Sequence, residues 1–195
     1  MNKKQIIWRE ILHYAIENKR IKWTQKELAQ KYGFSLSTVF NALKVPRKSG
    51  AVKAGGRGFE VRDIEKLLYL WATFRDLNKD IIYRTCVQRS IREIEGEMPS
   101  GIIFGAFSAF VKKYEEAPAD FDKVYIYTKS KDLDRIKKRF PKKKGYQNLI
   151  VLEADPWLEN FGEITPDVQT FVDLWNLPEW YAKEFLKDLE QKILR

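Results

Sequence analysis

A run of helix start and stop signals near the N-terminus constrains the fold of this 195-residue chain more than any other feature. Thr24, with Glu27 three residues later, predicts a capping box in which each side chain satisfies a backbone N–H at a helix start. Gly33 adopts the positive φ that ends a helix at little cost, and Ser35 caps a following helix. Two short helices on either side of a tight turn are therefore predicted, the second over residues 36–43.

An apolar stripe over residues 5–18 predicts another helix before this pair. Phe34 is expected to anchor the turn, while Val39 and Leu43 are expected to face inward. A capped helix, a glycine turn and a second capped helix form the pattern of a helix-turn-helix, whose second helix enters the major groove of DNA.

The outer face of the predicted third helix and the residues after it are suited to DNA contact, because their side chains hydrogen-bond base edges or pair with phosphates. The expected DNA-contacting residues are Thr24, Ser35, Ser37, Thr38, Asn41, Lys44, Arg47, Lys48, Lys53 and Arg57. Asn41 is the residue expected to contact a base. The alternative interpretation is that these are ordinary solvated residues of a helix and its flanking turns.

A glycine-rich segment over residues 55–58 lies between two short alternating segments, 50–54 and 59–61. Glycine-rich loops also bind nucleotide phosphates, but those fingerprints need a helix directly after the glycines, and here a strand is predicted. The segment therefore predicts a β-hairpin wing, with Arg57 placed to reach a minor groove or the DNA backbone.

Residues 5–62 with these motifs resemble the winged helix-turn-helix regulators of bacteria and archaea. The resemblance implies a DNA-binding domain over residues 1–62. A connector of residues 63–78 follows, in which Asp63 caps a helix from Ile64 to about Leu77. Because this helix is apolar on more than one side, it is expected to be a buried connector or a dimerisation helix.

The net charge of +9 is confined to the N-terminal part of the chain. Residues 1–76 contain 16 Lys and Arg against 7 Asp and Glu, whereas residues 77–195 contain 20 of each. This polarity favours a polyanionic partner for the first part. A merely basic solvated surface is the alternative.

Residues 79–195 alternate strand and helix patterns and predict an α/β domain that ends in two helices, which makes the whole chain α+β. Its predicted strands are 80–87, 123–128 and 148–153, and its predicted helices are 90–97, 132–140, 167–175 and 179–194. Residues 101–110 are apolar with small residues interspersed, and they continue into 111–114 with helical character. The C-terminal helices are expected to cover the sheet or to pair subunits.

The run Gly105–Ser108, followed by Asp120, Asp122 and a strong strand, resembles the nucleotidyltransferase fold. That resemblance implies a Mg²⁺ site, with Glu153 or Asp155 as a third carboxylate. The sequence departs from the family pattern at Ala106 and at Lys123, and Asp120 and Asp122 can equally cap a turn.

A winged helix joined to a nucleotidyltransferase-like domain without its catalytic carboxylates also resembles the antitoxin regulators of abortive-infection systems. This resemblance implies operator binding by the first domain, and repression or toxin neutralisation supported by the second.

One cysteine, Cys86, and one histidine, His13, exclude an internal disulfide and a cysteine/histidine metal cluster, and we predict no cofactor and no metal. We expect a cytoplasmic protein without a membrane partner, because no stretch is long and apolar enough to span a bilayer.

The leading hypothesis is a sequence-specific DNA-binding transcriptional regulator that is not an enzyme. Its expected partners are double-stranded DNA and a second copy of the chain, and the C-terminal domain is a candidate site for a protein partner. The alternatives are a nucleotidyltransferase-like enzyme that uses Asp120, Asp122 and Glu153, and an adaptor that binds protein.

Overall fold

The computed structural model describes residues 1–56 and 58–194, and it divides the chain into two compact units. The first unit comprises Met1–Arg75 together with the C-terminal residues from Gln191 onward, and the second comprises Asp76–Glu190. Helices combined with an antiparallel and a mixed sheet make the fold α+β, as predicted. None of the helices described has the length and apolarity that crossing a bilayer requires.

The first unit is built from five helices and three short strands among its described residues. They are α1 (Lys3–Glu17), β1 (Lys22–Trp23), α2 (Gln25–Tyr32), α3 (Leu36–Ala42), α4 (Lys44–Lys48), β2 (Val52–Gly55), β3 (Gly58–Val61) and α5 (Ile64–Phe74). The predicted helices and both hairpin strands are confirmed, while β1 and α4 were not predicted. The expected end of α5 at Leu77 is wrong, because the chain leaves the helix at Arg75 and Leu77 begins a 3-10 turn.

The caps around the turn between α2 and α3 follow the sequence signals closely. Thr24 accepts a hydrogen bond from the backbone N–H of Glu27 (3.1 Å), and Ser35 accepts one from that of Thr38 (3.2 Å). Gly33 ends α2 with φ +64°. The reciprocal half of the predicted capping box is wrong, because the Glu27 carboxylate pairs with the Arg20 guanidinium instead.

The inner face of α3 is held against α1 and α2 by buried side chains. Val39 and Leu43 are fully buried, as predicted, and Phe34 is buried beneath the turn. The indole N–H of Trp8 in α1 donates to the carbonyl of Ala42 (2.9 Å). These contacts fix which side of α3 faces solvent.

The three strands of the first unit form an antiparallel sheet in the order β1-β3-β2. Lys22 and Lys53 are both in register with Glu60 of the central strand, so the three side chains share one face of the sheet. A Cβ at Gly58 would overlap the carbonyl oxygen of Trp23. Glycine at this position therefore permits the close approach of β1 to β3.

The second unit contains a four-stranded mixed sheet in the order β4-β7-β6-β5, in which only β6 and β7 are parallel. Its elements are β4 (Ile81–Thr85), α6 (Ile91–Gly96), β5 (Ile103–Gly105), α7 (Ala106–Tyr114), β6 (Val124–Thr128), α8 (Leu133–Arg139), β7 (Leu149–Glu153) and α9 (Asp167–Trp175). The last helix is α10 (Ala182–Ile193). The predicted strands and helices are confirmed within a few residues, and β5 is an addition.

Each face of this sheet has its own apolar layer. On one face Val124, Ile126 and Val151 belong to a cluster with Ile94 of α6 and Ile136 of α8. On the other face, aromatic side chains of the sheet and of the α7 and α10 segments pack together; they are Phe107, Phe110, Tyr125, Tyr181 and Phe185. The sheet is therefore covered on both sides, which explains why the β6 side chains are all buried.

Candidate nucleic-acid interface

The outer face of α3 presents a cluster of hydroxyl groups and one amide. Ser35 Oγ lies 2.9 Å from both Ser37 Oγ and Thr38 Oγ1, so the three hydroxyls form one hydrogen-bonded group at the helix start. Ser37 and Asn41 are exposed, and Thr38 is partly buried. Because Ser35 caps the helix, Ser37 and Asn41 are the exposed residues of this set that remain for other contacts.

Two large apolar side chains share this surface and were not predicted as part of it. Leu36 is 56% exposed and Phe40 is 46% exposed, one helical turn apart on α3. Apolar side chains at such positions contact the methyl group of thymine in the major groove. In the sequence, Leu36 and Phe40 share with Val39 and Leu43 the i, i+3, i+4, i+7 spacing of one helical stripe, so periodicity predicts that they are buried and does not reveal their exposure.

The short helix α4 places cations beside the same surface. The Lys44 ammonium lies 5.7 Å from the centre of the Phe40 ring, and the Arg47 guanidinium carbon lies 5.1 Å from it. Lys48 is exposed one position further on. We call this surface the helix patch; it consists of Ser35, Leu36, Ser37, Thr38, Phe40, Asn41, Lys44, Arg47 and Lys48.

A second basic surface lies on the three-stranded sheet. A groove of about 430 Å³ runs along its strands, and the exposed residues Lys22, Lys53 and Arg62 contribute to its lining. Glu60 lies between Lys22 and Lys53 in register and pairs with Arg62 at 3.0 Å. We call this groove, which Thr24 also lines, the sheet patch.

The ten residues expected to contact DNA therefore divide between two surfaces of the first unit. Seven belong to the helix patch, and Thr24 and Lys53 belong to the sheet patch. Arg57, expected at the hairpin tip, lies outside the described residues. Lys22 and Arg62 were missed because their positions become recognisable only once β1 is known to pair with β3.

The carboxylates of the alternative enzyme hypothesis do not converge. Asp122 precedes β6 and accepts hydrogen bonds from the hydroxyls of Tyr146 and Tyr181. Glu153 ends β7 and pairs in register with Thr128, at the far end of β6. With about 3.3 Å per strand residue, the length of β6 alone separates them by about 13 Å.

Asp120 and Asp155 do not complete a set of converging carboxylates. Asp120 is exposed in the segment before β6, and Asp155 lies beyond β7, where its carboxylate accepts the backbone N–H of Trp157 (3.2 Å). Within residues 1–56 and 58–194, no group of three or more His, Cys, Asp or Glu side chains is placed to hold a metal ion. The carboxylate set implied by the nucleotidyltransferase resemblance is thus not assembled by this fold.

Compared with protein-family models, curated proteins and solved structures, the chain matches none of them.

Proposed function

We propose that the first unit is a winged helix-turn-helix module that binds double-stranded DNA, and that the protein is a sequence-specific transcriptional regulator acting in the cytoplasm. The observation that carries this proposal is the helix patch, in which outward hydrogen-bonding side chains of α3 lie beside the cations of α4. In this arrangement α3 enters the major groove, and the β2–β3 hairpin is the wing.

The two ends of the helix patch take different parts in this binding mode. Ser37 and Asn41 hydrogen-bond base edges, and Leu36 and Phe40 contact thymine methyl groups. Lys44 and Lys48 pair with phosphates and hold α3 in register with the groove. The sheet patch supplies Lys22, Lys53 and Arg62 for further phosphate contacts beside the wing.

The regulatory part of the proposal is supported by the architecture of the chain. Residues 1–76 carry a net charge of +9, whereas residues 77–195, which contain nearly all of the second unit, carry none. We propose that the second unit is not catalytic and serves assembly, sensing or the binding of a protein partner. A homodimer would present two copies of α3 to two half-sites and so raise both affinity and selectivity.

The salt dependence of DNA binding tests this function. A DNA fragment is first selected from a random pool with the full-length protein, and its affinity is then measured over a series of salt concentrations. The test variant carries Lys44→Gln, Lys48→Gln and Lys53→Gln, at three exposed positions of the two patches. The control variant carries Lys131→Gln, Lys183→Gln and Lys187→Gln, which remove the same charge from exposed positions elsewhere.

The parent protein should show a steep loss of affinity with salt, and the test variant a slope reduced by about 0.9 for each lysine that contacts a phosphate. The control variant should retain the parent slope. Absence of DNA binding, or an equal loss in both variants, would show that these patches do not bind DNA.

A further inference from the structure

The second unit concentrates its positive charge in one short stretch of the chain. Residues 135–144 contain seven Lys and Arg and no Asp or Glu, whereas the rest of residues 77–195 contains 13 Lys and Arg against 20 Asp and Glu. The stretch comprises most of α8 and the loop that follows it, and all seven cations are exposed. The DNA binding proposed for the first unit does not use them.

The loop after α8 is held against the edge strand β4 by hydrogen bonds. The carbonyls of Phe140 and Pro141 accept from the hydroxyls of Tyr83 (2.7 Å) and Thr85 (2.9 Å) respectively. The Thr85 hydroxyl also accepts the backbone N–H of Lys143 (2.9 Å). Because the backbone of this loop is already ordered, little conformational entropy is lost when its side chains bind a partner.

Three arginines beside the loop are oriented by the segment that follows α6. Arg89 pairs with the Glu97 carboxylate, and Arg139 donates to the Glu97 backbone carbonyl. Arg135 donates to the Ser100 hydroxyl (3.3 Å). Each guanidinium carries five N–H groups, so these bonds fix its position and leave donors for a further partner.

The cations line two adjoining hollows on this surface. Those of the first hollow, about 160 Å³, are Arg89, Arg139 and Lys143, and those of the second, about 410 Å³, are Arg135, Lys138 and Arg139. No Asp or Glu is among the described residues that line either hollow. Since Arg139 belongs to both, the five cations form one continuous surface, which we call the α8 patch. Positive charge with so little compensation favours a polyanion.

The composition of the α8 patch favours a nucleic acid backbone over other polyanions. Surfaces that bind membranes or proteins usually add large apolar side chains, which enter the lipid or form the centre of the interface. Among the described residues, the exposed large apolar side chains all lie outside the patch, at Leu36, Phe40, Phe74, Tyr146, Trp175 and Trp180. The planar fork of arginine, in contrast, matches the geometry of phosphate oxygens.

We propose that the α8 patch binds the phosphodiester backbone of a nucleic acid without reading its base sequence. Its guanidinium and ammonium groups pair with successive phosphates along the polymer. The patch lies wholly within the second unit, so it is a separate nucleic-acid contact of the chain and does not depend on the function proposed for the first unit.

Footprinting of lysine side chains with an acetylating reagent tests the proposal on the full chain. A lysine that pairs with a phosphate is shielded, so Lys138 and Lys143 should react several times more slowly with excess duplex of unselected sequence than without it. The exposed Lys183 and Lys187 of α10 are the internal controls and should react at the same rate in both samples. Raising the salt concentration should remove the protection.

Parallel samples with duplex DNA and duplex RNA distinguish two sources of the same phosphate chemistry, and protection by either supports the proposal. Unchanged reactivity of Lys138 and Lys143 with both would overturn it, as would protection that arises only with phosphatidylserine vesicles or with polyglutamate. Lys44 and Lys48 report on the first unit in the same samples. Absence of protection at those two lysines alone would therefore count against the function proposed for the first unit and not against the α8 patch.

A variant with Lys138→Gln and Lys143→Gln measures what the patch contributes to binding. It is combined with the three lysine substitutions of the first unit, so that the first unit contributes less. For the duplex that gives protection, the salt dependence of affinity should become less steep, by about 0.9 in slope for each lysine that contacts a phosphate of B-DNA. Lys183→Gln with Lys187→Gln, in the same background, is the matched control and should leave the slope unchanged. Equal slopes in the two variants would overturn the proposal.

Discussion

Asn41 is exposed near the end of α3, between the hydroxyl cluster and the cations of α4. An amide in the major groove makes a bidentate contact with adenine, and such a contact discriminates against other bases by about 1–3 kcal/mol. We expect Asn41→Ala to weaken binding to the selected DNA by this amount and to relax the preference at one base position. Repeating the selection with the variant measures both effects.

Asn160→Ala, at an exposed position of the second unit, is the matched control for this substitution and should bind as the parent does. An Asn41→Ala variant that lost affinity equally for every DNA sequence would contradict a base contact and would indicate a phosphate contact instead.

The helix cap formed by Asp63 makes the stability contributed by α5 depend on pH. Its carboxylate accepts the backbone N–H of Lys66 (2.8 Å), and this hydrogen bond is the main cause that lowers the pKa of Asp63 below its ordinary value of 3.8. Burial opposes the shift, and the nearby Lys66 side chain adds to it. The folded state therefore binds this proton less readily than the unfolded state does.

The resulting stability should be fully present above the ordinary pKa of Asp63 and lost as the pH falls below about 4, through the lowered pKa of the folded state. Asp63→Asn provides the comparison, because asparagine also caps helices but does not titrate. We expect the advantage of the parent over this variant in urea denaturation to shrink on acidification. A difference that is the same at pH 7 and pH 3 would contradict the assignment.

At the scale of elements, the β1–β3 contact depends on Gly58. Gly58→Ala introduces a methyl group that overlaps the Trp23 carbonyl oxygen, so β1 or β3 must shift. Overpacking of this kind costs about 1–3 kcal/mol, and we expect urea denaturation to show a loss of that size. Gly56→Ala, whose Cβ would meet no atom within 4 Å, is the control and should change stability far less. Equal losses in the two variants would show that the contact with Trp23 is not responsible.

The elements that the sequence predicts well are those defined by local chemistry. Thr24, Ser35 and Asp63 bond to backbone groups three residues away, so their caps are readable from a short window. The two-residue strand β1 has no such signal, because it exists only through pairing with β3. In the sequence, Pro46 predicts the end of a helix, because proline lacks a backbone N–H. It is tolerated in α4 because it lies in the first turn of that short helix.

The same distinction separates the parts of the candidate site. The polar residues of α3 are identified by helical periodicity alone, whereas Lys22 and Arg62 become neighbours of Lys53 only through the sheet. The distance between Asp122 and Glu153 depends on the parallel register of β6 and β7. The pattern of side chains within each strand does not determine that register.

At the scale of the whole molecule, the chain returns to its first unit at its C-terminus. Ile193 of α10 is 6% exposed and lines a cavity of about 380 Å³ with Ala15, Ile16 and Ile64. Truncating a buried isoleucine to alanine costs about 2–5 kcal/mol, so Ile193→Ala should destabilise the first unit by about this amount. Hydrogen exchange of the α1 amides should become faster.

Lys187→Ala, on the exposed side of the same helix, is the control and should leave that exchange unchanged. Unaltered protection of α1 in Ile193→Ala would show that the C-terminal residues contribute nothing to the stability of the first unit.

The strand order β1-β3-β2 also has a consequence for the time course of folding. The β2–β3 hairpin joins neighbours in sequence and can close within microseconds, whereas β1 is separated from β3 by α2, α3, α4 and β2. Contacts between distant segments form late, since loop closure must precede them. On the ribosome, Lys22 and Trp23 are synthesised before their partners and wait unpaired until Phe59 and Glu60 have emerged from the exit tunnel.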